Sequence, residues 1–225
     1  MRSKFFYDGH YRDISARIKD YINGAPDFLS AHTSGSTRAV GDAIERIISD
    51  RFDALLGEWC RDYSARFARR AMADVAFTDK DGFYCVVDVK THREDTKFNM
   101  PNLTSVERLA RFYEDDTNVF TLLMVKYRID RATVIVSEVL FVPIEFLDWD
   151  CLTLGNLGWG QIQIANSNRI HLNHAYSRRA WMLSLCDALL EFYPKEIAKV
   201  NERIGHFHTI KSYWEEKADV WSPES

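Results

Sequence analysis

The chain has 225 residues, enough for one domain or a domain with a subdomain. Its 46% apolar and 13% aromatic content supports a real core and excludes disorder. A formal net charge of −4 gives no whole-chain sign of nucleic-acid binding, although an acidic protein can keep a basic cleft.

Residues 10–23 predict a helix, with Ile14, Ile18, Tyr21 and Ile22 at helical spacing and Gly24-Ala25-Pro26-Asp27 ending it. A loop of small hydroxyl residues, His32 to Thr37, precedes a second helix over about 38–59. Its apolar stripe runs from Val40 through Ile44, Ile48 and Phe52 to Leu56. Arg61, Arg66, Arg69 and Arg70 follow as an arginine-rich stretch. Residues 91–103 read as polar and irregular, and Thr104 or Ser105 caps a short helix carrying Val106, Leu109, Ala110 and Phe112. Two strands are expected over 118–127 and 132–142, and a Gly-rich connection leads to a short strand, Gln161-Ile162-Gln163-Ile164. A polar loop, Asn166 to His174, enters a helix beginning near Ser177, and a final helix covers about 195–214. Helices, a mixed sheet and further helices make an α/β sandwich around a central sheet.

The four cysteines, Cys60, Cys85, Cys151 and Cys186, lack zinc-ligand spacing. Cys85 and Cys186 lie in apolar runs and read as buried free thiols, which fits a reducing cytoplasm. The N-terminus lacks the apolar stretch of a signal peptide, and no run approaches the roughly 20 apolar residues of a membrane span. No membrane partner is expected, and the localisation expected is cytoplasmic.

The chemistry sits on a hairpin. Ala73-Asp74-Val75-Ala76-Phe77 and Phe83-Tyr84-Cys85-Val86-Val87-Asp88-Val89-Lys90 flank the turn Asp79-Lys80-Asp81-Gly82. Alternation puts Asp88 and Lys90 on one strand face, and pairing through the turn brings Asp74 beside Asp88. Two carboxylates and an ammonium at one sheet end are equipment for holding a hard divalent cation and hydrolysing a phosphodiester. The bland alternative is a solvated edge, but Asp88 ends the apolar run Tyr84-Cys85-Val86-Val87 of a buried strand.

In this order the motifs resemble type II restriction endonucleases of the PD-(D/E)XK superfamily, in particular the blunt-cutting EcoRV/HincII-like branch. Three features carry the resemblance: Asp74, Asp88 and Lys90; the earlier Gly41-Asp42-Ala43-Ile44-Glu45; and Gly160-Gln161-Ile162-Gln163-Ile164 with its polar loop and Ser177-Arg178-Arg179-Ala180-Trp181. Together they span roughly residues 30–190. Ala73 stands before the first acid where the family has Pro, a residue that ligates nothing. Asp79 and Asp81 are rival first acids, but both belong to the turn.

The resemblance implies a central mixed β-sheet flanked by helices, with a restriction-endonuclease-like core, in a single domain 1–225. The catalytic core would cover about 38–142, the DNA-recognition strand, loop and helix about 160–190, and the C-terminal helix about 195–214. It implies a sequence-specific, Mg²⁺-dependent double-strand endonuclease (Mn²⁺ as substitute). The enzyme would act as a homodimer on a palindromic site, leaving 5′-phosphate and 3′-hydroxyl, blunt ends, with a cognate DNA methyltransferase as genetic partner. Asp74, Asp88 and the Val89 carbonyl would hold metal, and Lys90 would position or deprotonate the attacking water. Glu45 would face the metal site as a further ligand, or else pair with Arg46 or Arg38.

Candidate DNA-contacting residues are Ser34, Ser36, Thr37 and Arg38 before the Glu45 helix, or else these cap it. Thr91, His92, Arg93, Lys97, Asn99 and Asn102 would lie near the scissile bond, unless they form a solvated loop. Asn166, Ser167, Asn168, Arg169, His171, Asn173 and His174 are candidate base readers, and Arg178 and Arg179 candidate phosphate clamps. Residues 10–23 and parts of 38–59 are candidate dimer surfaces. The competing functions are a repair or junction-resolving nuclease on the same core and a non-catalytic DNA-binding protein.

Overall fold

A computed structural model describes residues 2–25, 36–64, 73–130 and 133–218. The chain forms two compact units, residues 1–178 and 179–225. The Ser34 loop residue and the arginines at 66, 69 and 70 lie outside the described residues.

The first unit is α/β. Its helices are α1 (Lys4–Tyr7), α2 (Tyr11–Asn23), α3 (Thr37–Ser49), α4 (Phe52–Leu56) and α5 (Val106–Phe112). The main sheet is mixed. Its strands β1 (Cys60–Ser64), β2 (Val75–Asp79), β3 (Tyr84–Arg93), β5 (Asn118–Asp130) and β6 (Thr133–Pro143) lie in the order β1-β2-β3-β5-β6. Strands β4 (Asn102–Ser105), β8 (Gln161–Ile164) and β7 (Leu152–Gly155) form a second, antiparallel sheet in the order β4-β8-β7.

β3 and β5 pair in parallel from Tyr84 with Asn118 to Arg93 with Tyr127. Valines and leucines of β5 are buried along Val119–Val125, as an interior strand covered on both faces requires. This pairing draws Thr91, His92 and Arg93 into the strand, where the sequence suggested an irregular segment. Their polarity masks a strand whose backbone bonds are supplied by β5.

The β2–β3 turn is held by Asp79, which is fully buried. Its Oδ1 accepts from the amides of Asp81 and Phe83 at 2.9 Å each, and its Oδ2 from Ser3 Oγ at 3.0 Å. Gly82 adopts φ +94, a conformation costly for any residue with a Cβ. Asp79 is thereby a turn staple.

Beneath the sheet, Phe5, Phe52, Phe77 and Phe141 stack edge-to-face with centroids 5.7–5.9 Å apart. Helix α2 is fastened to β6 by Asn23, whose side chain both donates to Val136 O and accepts from Val136 N. That clasp pairs backbone groups of a sheet edge. The predicted helix over 38–59 breaks at Asp50–Arg51, continues as α4, and ends in a short 3-10 turn, Gly57–Trp59.

The second unit is dominated by α6 (Arg178–Glu215), a single helix where the sequence suggested two. Pro194 lies inside it and withholds one donor from the carbonyl four residues earlier without ending the helix. Cys186 on this helix is exposed, contrary to its expected burial, whereas Cys85 is buried. No helix among the described residues is long and apolar enough to cross a membrane.

Candidate active site

The hairpin register Val75 to Val87 places Asp74 next to Asp88 at the strand end. Asp74 N donates to Val87 O at 3.0 Å, and Asp74 Oδ2 accepts from Val89 N at 2.7 Å. Asp74 therefore grips the backbone on both sides of Asp88. Lys90 Nζ lies 2.6 Å from Asp88 Oδ1, as side-chain alternation on β3 requires.

Asp88 is 5% exposed, and its Oδ2 is buried with no hydrogen-bond partner. Burial pushes its carboxyl up to about 7. Lys90 opposes that rise, while Asp74 and Glu45 add to it. A buried carboxylate oxygen without a partner is costly, so the site has an unmet demand for a cation or a proton.

Helix α3 supplies the facing wall. Val40, Ile44 and Ile48 bury one stripe, which leaves the Arg38, Gly41 and Glu45 side to the cleft. A Cβ on Gly41 would meet Thr91 Oγ1 at 2.8 Å, so the missing side chain lets α3 close onto β3. The resulting cleft, about 260 Å³, is lined by Thr37, Arg38, Gly41, Asp42, Glu45, Val89, Lys90, Thr91, Asn99 and Pro101. Glu45 thus faces the same space as Lys90. Asp42 and Pro101 belong to this lining although nothing in their spacing marked them.

The donors suit a hard cation in kind: carboxylates, with backbone oxygen at Val89. The orphaned Asp88 Oδ2 is the observation that fits one. Among the described residues no three His, Cys, Asp or Glu side chains gather closely enough to hold a cation alone. Backbone, water or phosphate oxygen must therefore complete a coordination shell here.

The candidate DNA-contacting residues divide into four groups. Thr37, Arg38, Thr91 and Asn99 line the cleft. Ser36 caps α3, accepting from Ala39 N at 3.3 Å. Others are bonded to neighbouring groups of the protein. His92 is 2% exposed, and its Nε2 lies 2.8 Å from Asn168 Oδ1. The Asn168 amide also donates to Thr96 O at 3.0 Å and Lys97 O at 3.2 Å. Asn168 is exposed and also straps β3, the 94–97 turn and the 166–169 loop together. Asn166 Oδ1 accepts from Asn168 N at 3.1 Å, and Ser167 is fully buried.

Asn173 donates to Asp148 Oδ2 at 3.3 Å and accepts from Ala175 N at 3.1 Å, so it too is held within the fold. His171 Nδ1 pairs with Asp150 Oδ2 at 2.8 Å, and His174 packs edge-on against Phe146. Arg93 reaches Asp95 at 2.7 Å, and Asn102 accepts from Gln163. Arg169 and Arg179 are exposed, and Lys97 stands beside Phe98, which is 61% exposed.

Arg178 departs furthest from its expected place. Its Nε is 3.2 Å from Glu145 Oε1, its Nη1 donates to Asp116 O at 3.0 Å, and its guanidinium covers the Tyr113 ring at 4.3 Å. Glu145 is fully buried and also accepts from Tyr113 Oη at 3.0 Å. Arg178 thus neutralises a buried carboxylate, which corrects its reading as a phosphate clamp. The sequence signal for this was Glu145 itself, set in the apolar run Pro143-Ile144-Glu145-Phe146.

No protein-family model matches the chain, and no curated protein matches it.

Proposed function

We propose that this protein is a Mg²⁺-dependent, sequence-specific double-strand DNA endonuclease with a restriction-endonuclease-like core, acting as a homodimer. One observation carries the reading: Asp88 keeps a buried, unpartnered Oδ2 while its Oδ1 bonds Lys90 Nζ, and Lys90 and Val89 line a cleft together with Glu45. A purely structural Asp–Lys pair has no need to leave one oxygen buried and unsatisfied.

When bound, the divalent cation supplies positive charge against the phosphate oxygens as negative charge builds up on them. The chain's own residues do the rest. Asp88 and Glu45 would hold the cation, with backbone oxygen at Val89. Asp74 fixes the Val89 amide and so the local course of β3. Lys90, as an ammonium, would orient the attacking water and offset charge on the phosphate in the transition state. Arg38 supplies a cation to the DNA backbone at the cleft, and Thr37, Thr91 and Asn99 offer hydrogen bonds. Base reading falls to the exposed side chains of the 166–174 loop, Asn168, Arg169, His171 and His174.

The test is digestion of a sequenced plasmid with the purified protein and Mg²⁺. Discrete fragments support the reading. A smear identifies a nonspecific nuclease, and retention of uncut DNA identifies a binding protein on the same core.

A further inference from the structure

Helix α6 leaves a row of large apolar side chains in water. Leu190, Tyr193, Ile197, Val200, Ile204 and Phe207 are each 37–72% exposed, and Trp214 extends the row. Their separations alternate between three and four residues, from Leu183 and Cys186 through to Lys211 and Trp214. A repeat of 3.5 residues, rather than 3.6, is the seam of a left-handed coiled coil. Such a seam in water leaves a long helix with little to stabilise it, because most helical stability comes from packing an apolar face.

The residues flanking the seam say what covers it. Leu189, Glu196, Arg203 and Ile210 form one flank, and Asp187 and His208 lie on the other. When two copies run antiparallel about a two-fold axis between residues 198 and 199, Ile197 meets Val200, Ile204 meets Tyr193, and Leu190 meets Phe207. In the same register Glu196 meets Arg203 twice, Leu189 meets Ile210, and Asp187 meets His208. The parallel arrangement instead sets Glu196 against Asn201 and Arg203 against His208, and makes no ion pair. The flanks are therefore self-complementary in the antiparallel sense, and opposed helix dipoles favour the same sense. Within its own helix Glu196 already bonds Lys199 at 2.7 Å, which adds a cation to the same patch.

We propose that the α6 seam, Leu183 to Trp214, pairs with the same seam of a second copy as an antiparallel two-stranded coiled coil. This gives the chain its dimer surface on the C-terminal helix, rather than on residues 10–23 or 38–59. The inference is independent of the nuclease reading, and its test needs neither DNA nor metal.

The full-length chain is sedimented to equilibrium at micromolar concentration. The expected mass is twice the chain's 26.2 kDa. Ile204→Glu puts a carboxylate in the seam and should return the monomer, while Glu202→Lys, on the far face, should not. Glu196→Arg or Arg203→Glu alone should weaken association by about tenfold or more, the scale of one well-placed ion pair. The double swap should restore it. In a Cys186→Ser background, Leu190→Cys and Phe207→Cys chains mixed together should form a mixed disulfide dimer, and neither should cross-link to itself. A monomeric wild type, a dimer indifferent to Ile204→Glu, a charge swap without rescue, or self-cross-linking at position 190 would each overturn the proposal.

Discussion

Asp88→Asn should stabilise the metal-free protein above neutral pH while removing its response to Mg²⁺. Burial raises the Asp88 carboxyl from 3.8 to about 7, so the folded protein binds this proton more tightly than the unfolded chain does. The stability from that proton is fully present below about pH 4 and is lost as the pH rises through about 7. At about 1.4 kcal/mol per pH unit, the gap is worth roughly 4 kcal/mol. Asn keeps the neutral form at every pH. Relaxation around the charge reduces the realised gain, so the variant should exceed wild type by about 2–4 kcal/mol at pH 8.5 and match it near pH 4. Urea denaturation across that range, with chelator and then with Mg²⁺, gives both quantities. Mg²⁺ should narrow the gap by stabilising wild type alone. A variant less stable than wild type at pH 8.5, or equally stabilised by Mg²⁺, would refute the claim that Asp88 is a destabilising charge awaiting a cation.

Further outcomes follow from the same geometry. Asn168→Ala removes the strap from His92 to the 96–97 carbonyls and should cost about 1–3 kcal/mol in denaturation. Arg178→Ala leaves the buried Glu145 carboxylate without its cation and should cost about 3 kcal/mol or more, read from the urea midpoint. Replacing Mg²⁺ by Ca²⁺ should preserve specific DNA binding in gel-shift assays while cleavage nearly stops, because the larger ion accepts looser geometry. Fast cleavage in Ca²⁺ would speak against a hard-metal mechanism.

The hairpin was legible because its signals agree: alternation in both strands, an Asp-Gly turn, and an apolar run that ends in Asp88. The spacing of Asp88 and Lys90 on one strand is enough to bring them within 2.6 Å. Other features were hidden for physical reasons. Thr91, His92 and Arg93 look like loop residues, and only their parallel partner strand makes them β. Strands β4 and β7, as short as β8, take their strand form from pairing with β8 on either side. Pro194 resembles a helix boundary, yet a long helix tolerates one missing donor. Asn168 illustrates a deeper limit. Its amide is equally suited to adenine and to backbone carbonyls, and only the folded course of residues 94–97 brings those carbonyls within reach. Glu45 reached the site through the motif order, whereas the closeness of α3 to β3 depends on Gly41 facing Thr91.

The most direct measurement is the single-turnover rate of plasmid cleavage at saturating Mg²⁺ for wild type and for Lys90→Ala. Gel-shift binding in Ca²⁺ serves as the control for folding and DNA affinity. Site-specific cleavage by wild type, with near-complete loss in the variant and DNA binding kept, is the result the account predicts. Absence of cleavage by wild type, or a variant that cuts at close to the wild-type rate, would contradict it.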